Sequence, residues 1–146
     1  MRDPRLSLKL INRRTGQTIA SAVEIADTRR TRRRGLLGRD AMDPSAALIL
    51  TPCCSIHTAF MRFAIDVMFV NRRGEVVRVV HHLPPWRIAV APTARSVIEF
   101  RGGTLASHDV RIGDRVYVLP ARFEGGVRTA SSCDIPGNLR ETTPQS

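Results

Sequence analysis

Lysine is almost missing from this sequence of 146 residues: Lys9 is the only one, and arginine carries nearly all the rest of a formal net charge of +10. Such a balance suits a phosphate-rich partner. Aromatic residues are only 5% of the chain and scattered, too few for a base-stacking surface. Arginine-for-lysine usage in a GC-rich genome accounts for the charge without one, so nucleic acid is not the favoured partner. Long apolar runs are also lacking. None approaches the roughly 20 residues that cross a bilayer, and no membrane association is expected. The opening MRDPRLSLKLIN holds Asp3 and Pro4 and no apolar core, unlike a signal peptide. A cytoplasmic location is the expectation. Cysteine is scarce and odd in number (Cys53, Cys54, Cys133), which argues against a disulfide framework. Cys53, Cys54 and His57 spell C-C-x-x-H, without the paired C-x-x-C of a structural zinc site, and no metal centre is expected. Nucleophile-elbow, phosphate-loop, H-E-x-x-H and G-x-G-x-x-G signatures are absent as well. No cofactor can be named.

What is present is 42% hydrophobic residues in a chain long enough for one well-packed domain. The central stretch is Ser55–Val70, SIHTAFMRFAIDVMFV, an apolar run interrupted by His57, Thr58, Arg62 and Asp66. Buried polar groups must find partners, so this run is either a well-bonded core ladder or the wall of a site. Asp66 between Ile65 and Val67 is a candidate for a desolvated carboxyl, functional or structural. His57 and Thr58 are adjacent and on a regular strand face opposite ways, so only one can look into a given cleft. Trp86, the only tryptophan, follows Pro84-Pro85 and either walls a pocket or caps the core.

Alternation predicts strands over Leu6–Ile11, Thr18–Ala26, Ala46–Thr51, Glu75–Leu83, Ser96–Phe100 and Arg115–Leu119, with Ser55–Val70 in two segments hinged near Phe63-Ala64. One short helix is expected after Asp27 or Thr28, running through TRRTRRRGLL to Gly38, although Gly35 inside it costs about 1 kcal/mol relative to alanine. Short strands with frequent Gly and Pro predict a mainly β fold, a compact β-sandwich or barrel-like domain over residues 1–122, with one short helix in the N-terminal third. Helices between strands, as in βαβ units, are not expected. From about Phe123 apolar periodicity fades, and residues 123–146 read as a flexible tail.

GLLGRD (Gly35–Asp40), IHTAFMRFAIDVMFV (Ile56–Val70), GEVVRVV (Gly74–Val80), PPWR (Pro84–Arg87), IEFRGGT (Ile98–Thr104) and IGD (Ile112–Asp114) stand in this order. In that order they resemble the uncharacterised conserved proteins grouped as domain of unknown function 192, over roughly Thr18 to Leu119. The resemblance implies a compact, mainly β fold with one short helix and no established activity. It places His57, Thr58, Arg62, Asp66, Glu99 and Asp114 at matching positions. The sequence departs from the family pattern at Ala59, Phe60 and Ala64.

Three functions compete on these residues. The first is a domain that binds a small molecule or peptide in a cleft along the central strand, lined by His57, Thr58, Arg62, Asp66, Trp86 and Glu99. The second is a hydrolase or lyase using Asp66 with His57 or Arg62. The third is a non-specific nucleic-acid accessory protein. A helical projection also sets Arg29 and Arg33 between the directions of Leu36 and Leu37. One of Arg29, Arg33 or Arg39 is therefore expected to pair with Asp66 or Glu99, since a partly buried guanidinium needs a carboxylate.

Overall fold

The computed structural model describes residues 7–121. Strand β1 (Leu8–Asn12) lies antiparallel between β2 (Thr18–Ala20) and the last strand, β10 (Val116–Pro120), making a three-stranded sheet. The main sheet has five strands: β3 (Ala22–Ala26), β4 (Ala46–Leu50), β6 (Ile65–Val70), β7 (Val76–Leu83) and β9 (Ser96–Arg101). Their spatial order is β3-β4-β9-β6-β7, so β9 is the middle strand and β6 its neighbour. A separate two-stranded ribbon pairs β5 (Ser55–His57) with β8 (Ile88–Val90).

The interior strands read as near-continuous apolar runs because the main sheet is covered on both faces. All six residues of β6 are buried, and five of six in β9. Met68, Val70, Ile98 and Phe100 point one way, into a core shared with Leu10, Ile19, Val116 and Val118 of the smaller sheet. Ile65, Val67, Phe69 and Val97 point the other way, into a core shared with Leu36, Met42, Ile56 and Ala89. Side chains one residue apart on a strand therefore belong to different cores. The packing is layered, and no sheet closes into a barrel among the described residues.

The helix α1 (Arg29–Arg34) starts where Thr28 caps it. Thr28 Oγ1 accepts from Thr31 N, and Thr31 Oγ1 accepts from Thr28 N, both at 3.1 Å. This reciprocal box satisfies two amides that the first turn leaves open. Three arginines in the last turn suit the negative end of the helix dipole. The helix ends at Gly35, with φ +44°, and not at Gly38 as the composition suggested. A glycine at positive φ stops a helix more readily than it sits inside one.

Other departures are local. The strand expected over Thr18–Ala26 breaks at Ser21, where the amides of Ser21 and Ala22 both donate to Ser45 O. Strand β8, only three residues long, was not expected. The helix falls between the strands expected on either side of it, but β3 and β4 run parallel across it, a βαβ crossover that the sequence reading does not expect. The break in the central stretch spans residues 58–64 and is wider than a hinge at Phe63-Ala64. The tail expected over 123–146 lies outside the described residues.

Candidate functional site

A cleft of about 100 Å³ opens between α1 and its following turn on one side and the start of the β5 ribbon on the other. Its walls are apolar where Leu36, Leu50, Ile56 and Met61 meet it, and Arg32, Arg33 and Arg34 border it. Its floor is Glu99. On β9 this residue lies between Leu48 of β4 and Val67 of β6, one strand position from Ile98 and Phe100, so it faces the helix-side core. Glu99 is 4% exposed, and among the described residues its Oε2 has no hydrogen-bond partner. Burial drives its pKa up to about 7, against a weaker opposing pull from the charge of Arg39. A buried acceptor left open costs about 1–3 kcal/mol. That makes Glu99 the least satisfied buried side chain described.

The other polar groups around the cleft are anchored. Arg32 is half-buried, and its Nη1 donates to the carbonyls of Asp27 (3.0 Å) and Thr51 (3.2 Å). The Cys53 thiol donates to Ser55 O at 3.0 Å, and burial pushes its pKa up, so it is held as a thiol. His57 borders the cleft from the end of β5, with its side chain exposed. Cys54 is exposed, and both of these cysteines are free.

The residues proposed as one cleft are dispersed. Asp66 is fully buried on the opposite face of the main sheet from Glu99, because it pairs with Phe100 while Val67 pairs with Glu99. Its Oδ1 accepts from His82 N and its Oδ2 from Leu105 N, each at 2.8 Å. This carboxylate holds the β7 bulge and the short 3₁₀ turn at Leu105–Ser107 to β6. Thr58 is buried as a bracket between the 58–64 turn and residues 84–87. Its Oγ1 donates to Pro84 O (2.7 Å) and accepts from Arg87 N (2.9 Å), while its own N donates to Arg87 O. A hydroxyl committed to two backbone partners is poorly placed as a nucleophile. Arg62 reaches out to Asp40, in an exposed pair. Trp86 is 60% exposed and meets Phe60, itself 74% exposed, edge to face at 4.6 Å between centroids. It neither walls the cleft nor caps the core. Both aromatics sit at φ +64°, an uncommon backbone state for residues with side chains.

The expected pairing of an arginine with Asp66 or Glu99 is replaced by other contacts. Arg39 donates to Glu24 at 2.8 Å on the sheet edge, and Arg29 and Arg33 are exposed. Arg32 is the one that turns inward, and its Nη1 donates to backbone carbonyls rather than to an acid. The projection failed because it assumed a helix reaching Leu37, whereas α1 stops at Arg34. The acid in the apolar run Val97-Ile98-Glu99-Phe100 was the legible signal for the floor. Met61 and Leu36 carried none, being ordinary core residues until the chain folds them around it.

Roomier crevices exist, such as one of about 430 Å³ between Asn71–Glu75 and Pro92–Arg95, but it is open and its Asn71 and Glu75 bond each other. Among the described residues no three His, Cys, Asp or Glu side chains gather to hold a metal ion, and no helix is long and apolar enough to cross a membrane.

Comparison with known proteins adds a lineage. Residues 10–118 match the model of the family DUF192, described as "Uncharacterized ACR, COG1430". A UPF0127 protein of Pyrococcus furiosus is 35% identical over 114 residues, covering 73% of this chain and 95% of its own. A crystal structure of a protein of unknown function from Novosphingobium aromaticivorans superposes with a TM-score of 0.64 at 20% identity, over 75% of this chain and 81% of that one. Another, named a "putative transcription regulator", from Sinorhizobium meliloti, gives 0.66 at 21% identity, over 82% and 98%. At such identities the two structures speak for the fold alone.

Proposed function

The chain belongs to the DUF192 family of uncharacterised proteins, and from that premise we propose that it is a ligand-binding β module. Its site is the cleft between α1 and β5. The observation that carries the reading is Glu99, a carboxyl removed from water with an open acceptor at the floor of a concave site. A group so costly to leave unpaired is what a site offers to a ligand. Asp66 supports the reading by contrast, since the same sheet satisfies a buried acid completely when no ligand is at stake. The hydrolase or lyase reading loses its geometry, because Asp66 and the cleft lie on opposite faces of the main sheet. The name of the Sinorhizobium neighbour brings nucleic acid into view, but the cleft offers no stacking aromatic.

The test is a thermal-shift screen of the full chain against metabolites, short peptides, sugars and oligonucleotides. A ligand at a hundred times its Kd stabilises by about 2.7 kcal/mol. Hits are then repeated on Ser55→Trp, which places a bulky ring at the cleft's exposed edge. The expected result is a small-molecule or peptide hit lost in that variant. Hits that the variant leaves intact, or oligonucleotides as the only hits, overturn the reading.

A further inference from the structure

We infer that the cleft takes a small hydroxy- or amino-carboxylate, with its donor group down against Glu99 and its carboxylate out among the arginines of α1. This deepens the binding reading above and rests on it. The floor does the first selection. Glu99 Oε2 is a buried acceptor without a partner, so the ionised carboxyl rewards a hydroxyl or ammonium and repels a second bare carboxylate. The walls do the second. Leu36, Leu50, Ile56 and Met61 give no hydrogen bonds along their side chains apart from the weak thioether acceptor of Met61, so the middle of the ligand must be a short apolar spacer.

The border does the third selection. Arg32, Arg33 and Arg34 are consecutive, and Arg32 is already fixed by the Asp27 and Thr51 carbonyls. A ligand of net positive charge therefore has to pass three positive charges to reach the floor, whereas a ligand with an anionic end is drawn to them. A guanidinium that is already placed loses little freedom on binding. Size closes the argument. About 100 Å³ is well below the roughly 300–1,000 Å³ of drug-sized sites, so only a few carbons fit. The charged and titratable groups around Glu99 are Arg32, Arg33 and Arg34 from α1, Arg39 beyond it, Cys53 after β4 and His57 at the end of β5. Since Cys53 is held as a thiol, the positive sign dominates around the cleft.

The experiment is amide NMR of the labelled full chain, titrated with 4-hydroxybutyrate, 4-aminobutyrate, butyrate and butylamine. Saturable shifts at Leu36, Ile56 and Glu99 are expected with the first two. Butyrate lacks the donor and butylamine the anion, and each should bind at least about tenfold more weakly. In Glu99→Gln, which keeps the shape of the floor, the advantage of 4-hydroxybutyrate over butyrate should fall by about tenfold while the spectrum stays folded. Butyrate or butylamine binding in the cleft as tightly as 4-hydroxybutyrate overturns the ligand class and leaves the binding reading standing. An unchanged preference in Glu99→Gln overturns the class too. Silence from all four probes also overturns it, and the binding reading is then decided separately by the thermal-shift screen and its Ser55→Trp control.

Discussion

Glu99 and Asp114 are both buried carboxyls, yet the chain surrounds them in opposite ways. Asp114 Oδ1 accepts from Arg14 Nε at 2.7 Å, and its Oδ2 accepts from Asn12 Nδ2 (2.8 Å) and Arg111 N (2.9 Å). Burial pushes its pKa up, but these donors outweigh burial and hold it at about 2. Glu99 has burial without such donors and rises to about 7. An acid whose lone pairs are spent on fixed partners welds loops together, and Asp114 joins the turn after β1 to the turn before β10. An acid left open in the same protein ties no loop down in this way. Asp66, with its two backbone donors, belongs with Asp114.

The largest effect should come from the saturated class. Asp66→Ala strands the buried amide of Leu105 and the part-buried amide of His82, and should cost about 3 kcal/mol. Urea denaturation reads this directly. A loss under about 1 kcal/mol would erase the difference between the welding acids and the open one.

The next effect is a pH dependence with opposite signs for the two acids. The folded pKa of Glu99, about 7, lies above its ordinary 4.5. Its contribution is therefore fully present below 4.5 and is lost as pH rises through 7, by about 3 kcal/mol at most. Asp114 works in the other window. Its pKa is depressed from 3.8, so its contribution is present above that value and is lost as pH falls towards 2. Glu99→Gln should flatten the stability profile between pH 5 and 8 and leave the acid limb unchanged. If the variant and the parent fall together across pH 5–8, Glu99 is not the group that titrates.

Much of this architecture could be read from residue order, because alternation and punctuation are local. Alternation over Leu6–Ile11 and the apolar runs up to Val70 and over Ser96–Phe100 point to β1, β6 and β9 within a residue or two, and Asp27 or Thr28 marks the helix start. What stayed hidden depends on partners far away in the chain. Nothing in ValIleGluPhe reveals that Glu99 opposes Leu48 and Val67, nor that register turns Asp66 to the other core. Thr58 reads as a cleft residue in the sequence because its bonds to Pro84 and Arg87 reach nearly thirty residues ahead. The helix end was misplaced for a local reason: the apolar Leu36 and Leu37 extend the periodicity past the glycine that actually stops it.

The smallest effect sharpens the comparison most, because it asks whether Glu99 truly lacks a partner. Arg39 is one of the three arginines expected to pair with Asp66 or Glu99, and it reaches Glu24 instead, in a pair whose side chains are 41% and 46% exposed. Such a pair gains little in water, is screened by salt and must order two long side chains. Arg39→Ala should therefore cost about 0.5 kcal/mol or less, far from the roughly 3–5 kcal/mol of breaking a buried ion pair. Its positive charge nonetheless lowers the pKa of Glu99 from a distance. Removing it should move the midpoint of the Glu99-dependent stability loss to higher pH, and the shift should shrink in high salt. The measurement is a set of denaturation curves from pH 5 to 9 for the parent, Arg39→Ala and Arg39→Ala/Glu99→Gln. A loss of several kcal/mol in Arg39→Ala that disappears in the double variant would mean the two residues are a buried pair. Glu99 would then join Asp114 among the welding acids, and the cleft would lose its open acceptor.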